Sequence, residues 1–175
     1  MLKLMYITNV PEIASIADRA GVDRIFIDLE RYGKEKRQKN WDSVKSKHSI
    51  SDIPKVKASV KNAQIFVRTD PVFDGFADEL ESVLACRPDV IMLPYFKTVR
   101  EVETFIKAVD GRARTSILLE TREAAELIDD IISVGGIDEI HIGLNDLSHS
   151  YGKKFLFEEL ADGTVDRLVE RCLLY

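Results

Sequence analysis

The chain has 175 residues, 45% of them hydrophobic and 31% charged, with a formal net charge of -5. That describes one ordinary globular core, residues 1–175 as a single domain, with no electrostatic footprint for nucleic acid. No apolar run approaches the roughly 20 residues that a membrane span needs, and the first residues are strand-like and not a cleavable secretion signal, so a cytoplasmic protein is expected.

Residues 2–8 read as a first strand. Asn9-Val10-Pro11 opens a helix over 12–20 with Pro11 near its first turn, where a missing N–H costs little, and Ile13, Ile16 and Ala17 share one face. Gly21 closes it, and 23–30 form a second strand. Residues 31–51 make the one long connection, with Gly33, Trp41, His48 and the basic cluster KEKRQK (34–39). That cluster is interrupted by Glu35 and Gln38 and reads as a solvated loop, while a loop of this length inside a compact domain is usually functional.

A short helix follows over 52–62, its start complicated by Pro54, then a third strand over 63–68 that ends on Arg68. Residues 76–86 form an amphipathic helix with Leu80, Val83 and Leu84 inward, and 89–94 a continuous apolar strand of the type buried on both faces. A helix over 98–109, a strand over 114–119, a helix over 123–134 ended by Gly135-Gly136, and a strand over 138–144 complete the alternation. Residues 151–162 read as irregular or partly helical, and 164–173 as a last helix. Cys86 and Cys172 carry no short-spacing motif, which predicts a reduced, buried pair of thiols.

About six βα units in a row admit either a doubly wound open sheet or a (β/α)8 barrel. Polar residues at the strand ends (Glu30, Arg68, Glu120, Asp146) favour the barrel, which gathers those ends into one ring. The absence of a Gly-rich phosphate fingerprint at the first turn argues against the dinucleotide-binding sheet.

The stretch 117–152 carries the chemistry. Its strand, helix, strand order makes the two strands parallel, with both C-terminal ends on one sheet edge. At a strand spacing of about 4.8 Å, Glu120 and Asp146 can share one divalent cation. Two hard carboxylate oxygens without a thiol or imidazole cluster select Mg²⁺ or Mn²⁺ over zinc, with most coordination positions open to a chelating oxo acid. The plainer alternative is that both acids cap the helix or turn that follows.

The segment ETREAAELIDDIISVGGIDEIHIGLNDLS resembles the signature of the metal-dependent 2-keto-3-deoxy acid aldolase and citrate lyase beta-subunit family, whose members are (β/α)8 TIM barrels of the pyruvate and phosphoenolpyruvate superfamily. The shared pattern is a Glu-Thr pair, a helix, a Gly-Ile/Val-Asp turn and Ile-Gly-x-x-Asp-Leu-Ser. The resemblance implies that Glu120 and Asp146 bind Mg²⁺ or Mn²⁺. Backbone amides in Gly143-Leu144-Asn145-Asp146 would then hold the carboxylate of a small 2-oxo acid. Arg68 matches the family arginine aimed at the substrate keto oxygen, where it would stabilise an enolate; its structural alternative is an ion pair with Glu30 or Asp70. Asp28-Leu29-Glu30 matches the second-strand Asp-x-Glu, whose carboxylates support the metal centre from behind.

The chain departs from the family at two points. Arg31 stands where the aldolases carry a proton-transferring His, and the acid partner of that His falls on Ala85. His48 is therefore the candidate for catalytic proton transfer, with His141 a packed barrel residue and His149 a loop residue near the site mouth. Family members continue through two further βα units, so the barrel is expected to be incomplete, its open edges covered by another subunit of a homo-oligomer or by more chain. The expected activity is that of a carbon-carbon lyase acting next to pyruvate. A citrate-lyase-like CoA-thioester lyase, or a non-catalytic barrel that binds metal or a partner, are the alternatives.

Overall fold

The computed structural model describes residues 2–33 and 46–174; the basic cluster at 34–39 and Trp41 lie outside the described residues. The strands are β1 (Met5–Ile7), β2 (Arg24–Asp28), β3 (Gln64–Arg68), β4 (Val90–Leu93), β5 (Arg114–Leu119) and β6 (Glu139–Ile142). The helices are α1 (Pro11–Arg19), α2 (Asp52–Ser59), α3 (Phe76–Ala85), α4 (Val99–Val109), α5 (Arg122–Glu126), α6 (Ile128–Ser133), α7 (Leu144–Ser150), α8 (Glu158–Ala161) and α9 (Thr164–Leu173).

All six strands are parallel and pair in chain order. A doubly wound sheet reverses its order at a switch point; this one never does. The sheet also curls. Arg24 opens β2 and Glu139 opens β6, strands four places apart that would be separated by roughly 19 Å in a flat sheet. Their side chains nevertheless form a two-pronged bond of 2.6 and 2.5 Å. The result is an α/β fold whose six-stranded parallel sheet is rolled into an incomplete barrel.

Strand alternation sorts the core into two layers. Phe26, Phe66, Val90, Met92 and Leu118 point into the curl. Ile25, Val67, Ile91 and Ile117 point outward against helix residues such as Leu80, Val83, Phe105 and Ile131. Because both faces are covered, β2 and β4 are buried along their whole length, as all-parallel sheets require. Full burial of each such Phe, Leu or Ile contributes about 1.5–3 kcal/mol.

Helix α4 is started by a capping box, Thr98 with Glu101, and stopped at Asp110 in the left-handed region (φ 50°). The helix expected over 123–134 is broken at Leu127 (φ -101°, ψ 14°), where the Leu127 N–H is shared between the carbonyls of Glu123 and Ala124. The first strand is shorter than expected, and Met5, Tyr6 and Ile7 are all exposed along the outer edge. Both cysteines are free thiols, but half-buried. Among the described residues no helix is long and apolar enough to cross a membrane.

Candidate functional site

The C-terminal ends of β2, β3, β5 and β6 bring the predicted acidic and basic residues to one edge. Asp28 and Arg68 end their strands as register partners. Arg68 Nε and Nη2 donate to Asp28 Oδ1 and Oδ2, both at 2.8 Å, and Nη2 lies 3.4 Å from Glu30 Oε2. Of the pairings that the sequence left open for Arg68, Glu30 is therefore realised. Asp70 instead accepts the backbone amides of Arg31 and Tyr32 at 2.6 and 2.7 Å. Burial works against the Arg68 charge, but the bonds to Asp28 and the charges of Asp28, Glu30 and Glu120 outweigh it and hold the guanidinium well above its ordinary value. Arg68 is a permanent cation, stacked 5.4 Å from the Phe26 ring centroid.

Glu120 follows the last residue of β5 and is 5% exposed. Its Oε1 accepts the N–H of Tyr95 at 2.9 Å. Tyr95 turns its amide there from a left-handed conformation (φ 47°), which a non-glycine residue rarely adopts. Burial first, then the charges of Asp146 and Glu30, push the Glu120 carboxyl up to about 8 against the pull of Arg68 and the Tyr95 amide.

Gly143 is next to Glu120 across the sheet, its N–H donating to Leu119 O at 2.9 Å. A Cβ on Gly143 would meet Glu120 Cβ and Oε2 at 2.9 Å, so the missing side chain gives the carboxylate its space. That amide is committed to the sheet. Of the four expected to hold a substrate carboxylate, only those of Leu144, Asn145 and Asp146 remain, in the first turn of α7, where helix N–H groups lack intrahelical acceptors. Asp146 is half-buried and Asn145 exposed.

His48 is buried, not an exposed loop residue. Its Nδ1 accepts the Asp28 N–H at 3.0 Å, and its carbonyl accepts from Arg31 Nη2 at 2.6 Å. With Nδ1 an acceptor, the ring proton of neutral His48 is on Nε2. Ala85 is exposed at the far end of α3, away from the strand ends. His141 is half-buried against Phe66 inside the curl, and His149 is exposed.

Sequence reasoning missed two participants. One is Tyr95, whose role is carried by its backbone. The other is Glu79, on the inward stripe of α3 with Phe76, Leu80 and Val83. Its Oε1 accepts the Asp70 N–H at 3.3 Å, and burial together with the Asp70 charge pushes it up to about 7. A carboxylate at helical spacing among apolar residues was the available signal.

Among the described residues no group of three or more His, Cys, Asp or Glu side chains is arranged to hold a metal ion. Glu120 and Asp146 are two carboxylates, a donor type that would suit a hard cation keeping several open positions. Burial first and the Asp146 charge second raise the Glu120 carboxyl, and a divalent cation would favour its ionised form.

A family model described as HpcH/HpaI aldolase/citrate lyase matches residues 3–161. Among solved structures, the citrate synthase SbnG is 19% identical with a TM-score of 0.75, over 97% of this chain and 72% of that one. An HpcH/HpaI aldolase from Desulfitobacterium hafniense DCB-2 is 15% identical with a TM-score of 0.73, over 97% and 73%. A citrate lyase beta subunit from M. tuberculosis, complexed with oxaloacetate and magnesium, is 20% identical with a TM-score of 0.54, over 87% and 61%. At these identities the likeness is one of fold. No match was found among curated proteins.

Proposed function

The chain belongs to the HpcH/HpaI aldolase/citrate lyase family, and from that premise we propose that it is a divalent-metal-dependent lyase making or breaking the carbon-carbon bond next to pyruvate in a 2-oxo acid. Glu120 and Asp146 would hold Mg²⁺ or Mn²⁺, which when bound supplies Lewis-acid polarisation of the keto group. The magnesium and oxaloacetate held by the citrate lyase beta subunit of similar fold support this choice.

The chain's own residues divide the remaining work. In the cleavage of a 4-hydroxy-2-oxo acid, the C3–C4 bond breaks, its electron pair becomes the enolate of pyruvate, C4 leaves as an aldehyde, and C3 later takes a proton. Arg68 faces the oxygen on which negative charge develops, and its permanent charge needs no reorganisation as the charge grows. Asp28 fixes the plane of that guanidinium through two bonds. Glu30 adds an acceptor 3.4 Å from Arg68, suited to orienting water. The amides of Leu144, Asn145 and Asp146 receive the substrate carboxylate. His48, its Nδ1 accepting the Asp28 N–H, has only Nε2–H to offer and would hold the C4 oxygen by a hydrogen bond, while the C4 hydroxyl proton leaves to a water molecule and C3 takes its proton back from water.

The observation that carries this reading is the buried Glu120 carboxyl, raised by Asp146 and Glu30 and given room by Gly143. The competing reading, a barrel that binds metal without turnover, draws on Arg31 and Ala85 at the positions of the family dyad. Pyruvate release from 4-hydroxy-2-oxo acids separates the two. Release that needs Mn²⁺ and is lost in Glu120→Ala supports the lyase; no release from the wild type under either condition refutes it.

A further inference from the structure

The dipeptide Glu120-Thr121 at the end of β5 grips the loop between β4 and α4 at two neighbouring points. Glu120 Oε1 accepts the N–H of Tyr95 at 2.9 Å, and one residue further along Thr121 Oγ1 donates to the carbonyl of Phe96 at 2.8 Å. The second grip is buried: Thr121 is 1% exposed, and Phe96 belongs to the core that the helices cover. The same hydroxyl oxygen accepts the Ala124 N–H at 3.2 Å and so caps α5. Its single proton is therefore committed to Phe96, and its oxygen to the helix.

The far end of the loop is fastened separately. Glu101 Oε2 accepts the N–H groups of Lys97 and Thr98 at 2.9 and 2.8 Å. Before that fastening Tyr95 sits at φ 47°, a conformation that persists in a non-glycine residue only where its surroundings over-determine it. Of the two bonds that reach Tyr95 and Phe96 from the end of β5, only the one from Thr121 leaves the carboxylate out. It is thus the bond that can aim the strained amide at Glu120.

The consequence falls on the carboxylate. With Oε1 turned to the Tyr95 amide, Oε2 lies on the side of Gly143, where a Cβ would stand 2.9 Å from it. Gly143 leads from β6 into the first turn of α7, which carries Asp146. We infer that Thr121 is a positioning residue for cation binding: by holding the Phe96 carbonyl it keeps the Tyr95 amide on Glu120 Oε1 and so presents Oε2 toward β6. The inference rests on the reading of Glu120 as a metal ligand and deepens it, because it gives the second residue of the Glu-Thr pair a task separate from capping α5.

The test measures the Kd for Mn²⁺, from the paramagnetic resonance signal of the free ion, beside the melting temperature, in the wild type and in Thr121→Val, Thr121→Ser and Thr121→Cys. Loss of a group that orients a metal ligand costs about 10–100-fold in metal affinity. Thr121→Val, of the same shape but with neither donor nor acceptor, is expected to weaken Mn²⁺ at least about tenfold. Thr121→Ser is expected to keep the wild-type Kd, and Thr121→Cys, a weak donor, to fall between them. A residue that only caps a helix lowers the melting temperature and leaves the Kd alone, so equal Kd values in the wild type and Thr121→Val overturn the positioning role while the metal reading stands. Thr121→Ser as weak as Thr121→Val overturns it too, since the hydroxyl would then not be the group that matters. If Thr121→Val does not fold, Thr121→Cys decides, and a wild-type Kd there overturns the inference. If the wild type takes up no Mn²⁺, the metal reading fails and the positioning role with it.

Discussion

Asp28 and Arg68 are register partners at the ends of adjacent parallel strands, joined by two bonds of 2.8 Å in a buried setting. Breaking a buried pair from one side leaves an uncompensated charge, at a cost of about 3–5 kcal/mol. Asp28→Ala is therefore expected to lower unfolding free energy by about 3 kcal/mol in urea titrations. Arg68→Lys keeps the charge but loses the planar fork; it should fold with a loss of about 1 kcal/mol, while kcat for pyruvate release falls about 10²-fold.

Gly143→Ala isolates the close approach between β5 and β6. The backbone at Gly143 has φ -90°, which alanine tolerates, so the effect comes from the new Cβ at 2.9 Å from Glu120 Cβ and Oε2. Overpacking of this type costs about 1–3 kcal/mol, and a displaced Glu120 should lose Mn²⁺. The expected outcome is a folded protein with a melting point a few degrees lower and pyruvate release reduced about 10²-fold.

Metal binding can be read without turnover. A ligand that binds only the native state at about 100 times its Kd stabilises by about 2.7 kcal/mol, so saturating Mn²⁺ should raise the wild-type melting temperature and leave Glu120→Ala and Asp146→Ala unmoved. A rise of equal size in all three proteins would place the ion elsewhere.

Glu79 supplies a pH signature. Its native carboxyl is raised from 4.5 to about 7 by burial and by Asp70, so the native state holds the proton more tightly than the unfolded chain. Its ionisation therefore penalises folding: no penalty exists below about 4.5, it grows as pH rises, and it is complete above about 7. Allowing for partial solvent screening, the penalty is about 2 kcal/mol. Glu79→Gln should be more stable than the wild type at pH 8 and lose that advantage by pH 4.5, in paired denaturation series.

Much of this fold was legible in the chain because its signals are local. The alternation of strands and helices, the turn at Gly135-Gly136 and the strand-end acids Glu120 and Asp146 all follow from short-range patterns. The register pairing of Asp28 with Arg68 was not legible, since sequence gives the ends of strands but not their alignment. The burial of His48 depends on the Asp28 amide twenty residues earlier. Tyr95 escapes any reading of side chains because it contributes an N–H. Arg24 and Glu139 are 115 residues apart, and only the curl of the sheet makes them neighbours.

That last pair braces the molecule at the end opposite its candidate site. Arg24 and Glu139 stand at the starts of their strands, with the Arg24 guanidinium over the Phe66 ring, and tie β2 to β6 across the curl, so the curvature that brings the strand ends toward one another is fastened from below.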